Sequence, residues 1–351
     1  MQRAIVFLCN CLHNGGAQRV LVSIANYIAE QGYQVYIIAS FDNGSYKLNE
    51  NIIVNYVGHG KYLKFIKESR SQIKSLHPAA VISFEYFFNL LAAIACFGLK
   101  TKLIVSERND PARVGSGILK DRIRNFLYRF ANILVCQTPD ARDYFPSYIR
   151  KKSVIIPNPL KPNLPVRIGG IRDNVIVTFC RLNSQKNLPM LLRAFKVFLN
   201  KHADYVLKIY GDGEEAAGLK ELSKQLMIEK SVEINAASDK IHDLVLNAKM
   251  FILPSDYEGL SNSMLEAMAI GLPTICTDCP CGGARMVIRN RENGILIPVR
   301  DEKALYTAMC SIVENTEYAE QLSREAVRLR DDLSIEAISE EWIKLIESNE
   351  I

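Results

Sequence analysis

The stretch Met250-Phe-Ile-Leu253-Pro-Ser-Asp-Tyr-Glu258-Gly259-Leu260-Ser261-Asn262-Ser-Met-Leu-Glu266-Ala-Met-Ala-Ile-Gly271-Leu-Pro273-Thr-Ile-Cys276 decides the fold. Met250–Leu253 and Pro273–Cys276 are apolar runs of strand length, and Ser263–Ile270 between them is helical in pattern. Strand, turn, helix and strand in succession make the repeating unit of a parallel sheet. The turn after the first strand is where such a unit meets a ligand. Gly259 permits close backbone approach, and the amides through Asn262 open a helix, an arrangement suited to a diphosphate. Glu266, about one turn into the helix, would point toward a ribose whose phosphates rest on that end. A carboxylate there can accept from two hydroxyls. Glu258, in the turn, would reach a group beyond the phosphates. The plainer alternative makes Ser261 an N-cap and Glu266 a solvated helix residue.

Outward from this unit the same alternation fills the chain. In the first half, strands are expected at Ala4–Cys9, Gln34–Ser40, Ile52–Val57, Ala79–Ser83, Lys102–Val105 and Ile133–Cys136. Helices are expected at Ala17–Glu30, Leu63–Leu76, Asn89–Cys96 and Leu119–Phe130. Near-continuous apolar strands between helices indicate a parallel sheet covered on both faces. Right-handed crossovers make it doubly wound. Ile155-Ile-Pro-Asn-Pro159 through Gly169-Gly170 is rich in Pro and Gly and reads as a hinge. Beyond it the alternation restarts at Val175–Phe179 and runs through Ile295–Val299, and three helices, 301–314, 317–330 and 335–348, close the chain. The expectation is an α/β protein of two Rossmann-like domains facing a cleft: residues 1–158, a linker 159–172, residues 173–332, and a C-terminal helix 333–351 packing back toward the first domain.

At 351 residues, with 48% hydrophobic and 23% charged side chains, the composition is that of an ordinary globular protein with a substantial core. It excludes disorder as the main theme, and no period supports a repeat architecture. No stretch approaches the roughly 18 apolar residues of a membrane span. The run Ala4–Cys9 is too short for a signal peptide, so residence in the cytoplasm is expected. Nine cysteines in apolar settings read as reduced, buried thiols. Cys276, Cys279 and Cys281 lack a fourth ligand at zinc spacing. The net charge of +5 is unevenly spread: residues 1–165 hold 21 Lys+Arg against 10 Asp+Glu, a net of +11. A basic half calls for an anionic partner, or is a Lys-rich solvated surface.

Further polar clusters follow strands. Arg181 and Lys186 in Phe179-Cys-Arg181-Leu-Asn-Ser-Gln-Lys186-Asn187 would place two cations at a strand's carboxyl end, with Lys186 opening the next helix. They could neutralise a leaving diphosphate, or form an ordinary basic loop. In the first half, Leu12-His13-Asn14-Gly15-Gly16-Ala-Gln-Arg19 links the first strand to the first helix, and its glycines allow a ligand to meet the backbone. It is not Gly-x-Gly-x-x-Gly, which argues against a dehydrogenase. Ser106-Glu107-Arg108-Asn109-Asp110-Pro111 is a polar burst after another strand, either a site or a capped loop. His13 is the sharpest lone histidine, though turn histidines are more often bystanders. Gly211-Asp212-Gly213 alone is a tight βα turn.

Taken together these residues resemble the retaining glycosyltransferases of family 4, which have the GT-B fold. The marks are Gly15-Gly16-Ala17, Ser106-Glu107-Arg108-Asn109, Asn158-Pro159, Arg181 with Lys186, Gly211-Asp212-Gly213, Glu258-x7-Glu266, Gly271-x-Pro273 and Gly283-Ala284-Arg285. They span nearly the whole chain in the family's order. The resemblance implies that Glu266 binds the donor ribose, Glu258 contacts the donor sugar, and Arg181 and Lys186 hold the diphosphate. Gly15, Gly16 and Gly259 through Asn262 join the donor-binding set, and Arg108, Asn109 and His13 are acceptor-side candidates. The chain departs from the family in having Cys180 where many members have Gly, Arg108 where many have His, and Met286 where many have Glu.

The expected activity is transfer of a sugar from a nucleotide sugar, UDP-linked or else GDP-linked, to a lipid-linked glycan in cell-surface polysaccharide synthesis. No Asp-x-Asp pair is present, so neither metal nor cofactor is expected, the nucleotide sugar being a co-substrate. A sugar-nucleotide epimerase or hydrolase, a Rossmann dehydrogenase and a nucleic-acid-binding protein are the alternatives; no nucleic-acid partner is expected. An anionic membrane surface at the inner face of the membrane is the expected partner of the basic half. Lys61, Lys64, Lys67, Arg70 and Lys74 lie on one expected helix. Lys120, Arg122, Arg124 and Arg129 lie on another, beside the apolar Ile118, Leu119, Ile123, Phe126, Leu127 and Phe130. The alternative is that this apolar face packs on the sheet.

Overall fold

A computed structural model of the chain describes residues 3–13, 15–42, 44, 46–115, 117–167 and 169–348. It divides into two units, Met1–Pro159 with Leu333–Ile351, and Leu160–Asp332.

The sheet of the first unit is built from β1 (Ala4–Cys9), β2 (Gln34–Ala39), β3 (Ile53–Tyr56), β4 (Ala80–Phe84), β5 (Lys102–Ser106), β6 (Ile133–Cys136) and β7 (Ser153–Ile155). All pairs are parallel, in the order β3-β2-β1-β4-β5-β6-β7. Ile5, Val6, Phe7 and Leu8 are fully buried, as expected for a central strand covered on both faces. The order reverses between β1 and β4, so the crevice outside their carboxyl ends is the natural ligand position.

Helix Ile335–Glu347, near the end of the chain, belongs to this unit. Trp342 is fully buried there, its ring 5.3 Å from that of Phe84. Lys102 Nζ donates to Leu345 O at 2.9 Å and Ile346 O at 3.1 Å, satisfying carbonyls at the helix's end. The Tyr27 and Tyr33 hydroxyls donate to Glu340 and Glu347.

The second unit carries β8 (Val175–Phe179), β9 (Val206–Tyr210), β10 (Val232–Asn235), β11 (Met250–Leu253), β12 (Thr274–Thr277) and β13 (Ile295–Ile297), again all parallel, in the order β10-β9-β8-β11-β12-β13. Its reversal lies between β8 and β11. The core beneath includes Leu191, Leu192, Phe195 and Phe198 of helix Leu188–Leu199 and Leu305, Met309 and Ile312 of helix Glu302–Glu314.

Two expectations change. The segment read as a hinge is built into the second unit: Leu160, Leu164 and Arg172 are buried. Arg172 donates to Ala248 O, Gly271 O and Ser323 Oγ, so the end of the Pro/Gly-rich stretch is tied to the second unit by a side chain with fixed partners. The expected helix 317–330 is two helices, Thr316–Val327 and Leu329–Asp332. All nine cysteines are free thiols, seven of them buried.

Candidate functional site

In the second unit the reversal brings together the chain leaving β8 and the chain leaving β11. After β8, Leu182 N donates to Asp212 O at 2.9 Å. Gly211 makes this approach possible, since a Cβ there would lie 1.9 Å from Cys180 O. Thus Gly211-Asp212-Gly213, unremarkable as sequence, braces the loop that carries Arg181. Ser184–Lys186 forms one 3-10 turn, and Asn187, at φ 46°, reverses the chain into helix Leu188–Leu199. Lys186 therefore ends a turn rather than opening the helix, because Asn187 in the left-handed region interrupts the run.

After β11 the turn 254–261 leads to helix Asn262–Ala269, whose N-cap Ser261 accepts from Met264 N. Glu258 is held from several sides. It pairs with Lys186, accepts from Ser255 Oγ at 2.9 Å and Gln185 Nε2 at 3.2 Å, and donates its own N–H to Pro280 O at 2.9 Å. Gln185 Nε2 also reaches Tyr257 O at 2.9 Å, and Asn187 Nδ2 reaches Asp256 Oδ1 at 2.9 Å. The Glu258 turn and the Lys186 turn are thereby locked to each other. Both side chains are largely buried, at 13% and 12% exposure. Burial alone would pull the Lys186 ammonium down, yet the Glu258 carboxylate beside it leaves it above its ordinary value.

Gly283 lies against the same turn. A Cβ on it would sit 1.8 Å from Gly259 O, so only glycine fits. Ser255, Glu258, Gly259, Ser261, Cys276, Thr277, Cys279 and Ala284 line a small cavity there. Burial pushes the Cys279 thiol up to about 12, so it stays protonated.

Glu266 is buried rather than solvated, and its Oε2 is 2.8 Å from Nε2 of His242 on helix Ile241–Val245. The His242 ring stands edge-on to Phe179 at 5.9 Å. Sequence reasoning missed His242; the available signal was one imidazole on an otherwise apolar stripe with Ile241, Val245 and Ala248. Arg181 is exposed, and among the described residues its guanidinium has no ion-pair partner. Leu260 is buried and contributes backbone, and Asn262 is the first residue of its helix.

The first unit presents its polar residues at the ends of β1, β4 and β5. Gly15 is the N-cap of helix Gly16–Glu30. Gln18 folds over Gly15 so closely that a Cβ there would meet its Oε1 at 1.8 Å, and Gln18 Nε2 donates to Glu85 Oε1 at 2.9 Å. Glu85, at φ 75°, is the N-cap of helix Tyr86–Cys96. A non-glycine residue held there carries strain of the kind that clusters at working sites. His13 is exposed, and Asn14 lies outside the described residues.

Arg108 donates to Asn158 Oδ1 and to Ser106 Oγ and lies 4.7 Å over the Phe84 ring. Burial, helped by the charge of Arg19, lowers the Arg108 guanidinium to about 9. Arg19 Nη2 donates to Pro159 O at 3.4 Å, so both guanidiniums grip the Asn158-Pro159 step. Asn109 Oδ1 accepts from Asp110 N at 2.8 Å and serves its own turn. Glu107 is structural: it accepts from the buried Tyr128 hydroxyl at 2.5 Å.

The helical face holds one correction. Arg124, counted in the basic face, is fully buried, bonded to Pro111 O and Asp121 Oδ1 and set against the Tyr144 and Phe145 rings. It sits at the helical phase of Tyr128, which faces inward, and the apolar residues sit on the opposite side. Ile118 is 77%, Leu119 71% and Phe126 56% exposed. The apolar face of helix Ile118–Tyr128 therefore does not pack on the sheet. No helix of the described residues is long and apolar enough to cross a membrane.

Comparison with known proteins agrees with this geometry. The sequence model of Glycosyltransferase Family 4 matches residues 14–164, and that of glycosyl transferases group 1 matches residues 169–328. The chain is 27% identical over 352 residues to an uncharacterized glycosyltransferase of Haemophilus influenzae, covering 97% of this chain and 99% of that one. It is also 27% identical over 360 residues, covering 97% and 98%, to a Campylobacter jejuni alpha-1,4-N-acetyl-D-galactosaminyltransferase named for an acceptor on PP-undecaprenol. HepE from Anabaena, solved in complex with UDP-glucose, superposes with a TM-score of 0.83 at 17% identity over 98% of this chain and 99% of that one. With two matching sequence models, full-length relatives and the doubly wound sheet in each unit, the chain belongs to glycosyltransferase family 4 and is a glycosyltransferase of the GT-B fold.

Proposed function

We propose that the protein transfers a sugar from a UDP-sugar, with retention of anomeric configuration, to a lipid-linked glycan during cell-surface polysaccharide synthesis at the inner face of the membrane. The observation that carries this reading is the locked pair of turns after β8 and β11, with Lys186 on Glu258 beside the start of helix Asn262–Ala269. A buried ammonium beside a carboxylate is held ready without the cost of an unpaired charge. When a diphosphate arrives on the amides from Gly259 to Asn262, Lys186 shares its charge with it, and the exposed Arg181 closes on it. Their attraction grows as negative charge builds on the departing nucleoside diphosphate, so they act mainly in the transition state. Glu266, oriented by His242, accepts from the ribose hydroxyls. Glu258 then turns toward the donor sugar. Gly15 and Gly16, at the start of helix Gly16–Glu30, complete the donor set, and Arg108, Asn109 and His13 are assigned to the acceptor. No step requires a metal.

The UDP-glucose held by HepE supports the donor, and the PP-undecaprenol of the Campylobacter enzyme's name supports the acceptor class. The surface of the first unit supports the location. Helices Tyr62–Leu76, Tyr86–Cys96 and Ile118–Tyr128 pack side by side. They expose Leu63, Phe87, Ile94, Ile118, Leu119 and Phe126, with Phe97 and Phe130 in edge contact at 5.0 Å beside them. Lys61, Lys64, Lys67, Lys120, Arg122 and Arg129 are exposed among them. Apolar side chains interleaved with cations fit an anionic bilayer surface.

The experiment is a mass-spectrometric assay of the purified protein with UDP- and GDP-sugars and an undecaprenyl-diphosphate-linked glycan, with the anomer of the product read by NMR. Transfer from a UDP-sugar with retention is expected. Transfer from GDP-sugars alone, or an inverted product, would overturn the donor or the stereochemical assignment.

A further inference from the structure

We propose that the second unit holds a structural zinc ion between His202, Cys310 and Glu314, at the edge of the sheet away from the donor turns. The imidazole nitrogen, thiol sulfur and a carboxylate oxygen of these residues all lie within 4.8 Å of one another. Cys310 and Glu314 are four residues apart on helix Glu302–Glu314 and so share one face. His202 comes from the loop that follows helix Leu188–Leu199, which packs on that helix. Its ring is fixed by stacking on Phe198 at 4.6 Å and by an edge contact with Tyr205 at 5.9 Å.

Thus held, His202 Nε2 is buried and among the described residues has no hydrogen-bond partner; Glu314 Oε1 lies 3.4 Å from it. Buried polar atoms are nearly always satisfied, and one that is not calls for a group the site would receive. Nitrogen, sulfur and oxygen donors suit zinc, with water in the fourth position. Zinc bonds of about 2.0–2.3 Å set ligand atoms roughly 3.4–3.8 Å apart, so the cluster closes by about an ångström.

The backbone favours a cation as well, since both helices direct their negative ends here. Lys201, 60% exposed, now occupies that field through its contact with Glu314 at 2.5 Å, and it can swing into water when the metal enters. Zinc binding releases the thiol proton to solvent, leaving a thiolate ligand. Helices in a parallel sheet begin at the strands' carboxyl ends and finish at the opposite edge. The ion would therefore clamp helix Leu188–Leu199 to helix Glu302–Glu314 and take no part in the transfer.

Full-length protein is stripped with a chelator, dialysed, and titrated with ZnCl2 or CoCl2. One zinc per chain, a thiolate-to-cobalt charge-transfer band, and a Tm raised by several degrees with zinc are expected. Cys310→Ser should lose the band and the Tm rise. Glu314→Gln, at an exposed position that keeps the fold, should weaken zinc binding at least tenfold, which carries the test if Cys310→Ser does not fold. Lys201→Ala removes only the competing cation and should bind zinc as tightly as the parent or more so. No binding by the parent protein would overturn the proposal. So would equal binding by the parent and Glu314→Gln, which would place the ion on other thiols.

Discussion

Helices Ile118–Tyr128 and Leu188–Leu199 carry apolar stripes of similar strength and use them in opposite ways. The second turns Leu188, Met190, Leu191, Leu192, Phe195 and Phe198 into core. The first buries only Arg124 and Tyr128 and leaves Ile118, Leu119, Ile123 and Phe126 in the open. Periodicity reveals that a stripe exists; it does not say what covers it. The same division runs through the two units. In the second, Lys186 with Glu258 and His242 with Glu266 are drawn inward and paired, and Arg181 alone of the site's charges stays exposed. In the first, Arg124 is buried and Arg108 largely so, but Lys61, Lys64, Lys67, Lys120, Arg122 and Arg129 stay outside among exposed apolar side chains. Substitutions should therefore separate the two proposed roles cleanly.

The largest effect is expected at the locked turns. Lys186→Ala should lower kcat by about 10²–10³-fold, the scale of losing one preorganised charge contact, with a smaller rise in KM. Arg181→Ala should act in the same direction. Glu258→Ala should reduce turnover with a milder loss of nucleotide affinity. Vesicle binding should not change in any of them. Full activity in the Arg181→Ala, Lys186→Ala double variant would remove the diphosphate role.

Next comes the ribose contact. Glu266→Ala should weaken UDP binding by about 10–100-fold, from hydrogen bonds to a charged group worth about 1.5–3 kcal/mol each. His242→Ala should weaken it by a few-fold, and His242→Gln should recover part of that loss. Calorimetric titration with UDP measures both, and an unchanged affinity in Glu266→Ala would refute the ribose assignment.

On the first unit, Ile118→Ser with Phe126→Ser should reduce binding to anionic vesicles by about tenfold, because two exposed side chains lose their burial in the interface. Lys120→Ala with Arg122→Ala should do the same at low salt, at about 1 kcal/mol per charge, and much less at high salt. Arg124→Ala is the internal control: it should lower Tm and leave vesicle affinity alone. Co-sedimentation reads these effects, and equal recovery with neutral and anionic vesicles would break the comparison. The smallest expected effect is none at all: EDTA should leave kcat unchanged.

The elements and their parallel order were legible because buried strands are apolar throughout and the helices between them are periodic. Glu258, Glu266 and Lys186 could be singled out as candidates because turns at strand carboxyl ends, and the helix starts that follow them, are short and local. The partners were not. Lys186 meets Glu258 across 72 residues and His242 meets Glu266 across 24, and nothing local in either segment encodes the other. Arg124 was misread because a basic residue on a helix is presumed solvated, whereas Asp121 and two carbonyls supply it with a buried set of acceptors. The partners of Arg172 were hidden for the same reason, since composition does not show which acceptors wait for it.

The C-terminal helix carries a consequence for synthesis. The second unit is continuous in sequence, from Leu160 to Asp332, whereas the first is interrupted by it and finished only by the last residues. As the chain leaves the ribosome, the amino-terminal sheet emerges early but lacks Trp342 against Phe84 and the backbone that Lys102 binds. Domains usually fold in the order they are made. Here the later-made unit can complete itself while the earlier one still waits for the helix that buries Trp342, so the unit begun first is completed after the one begun second.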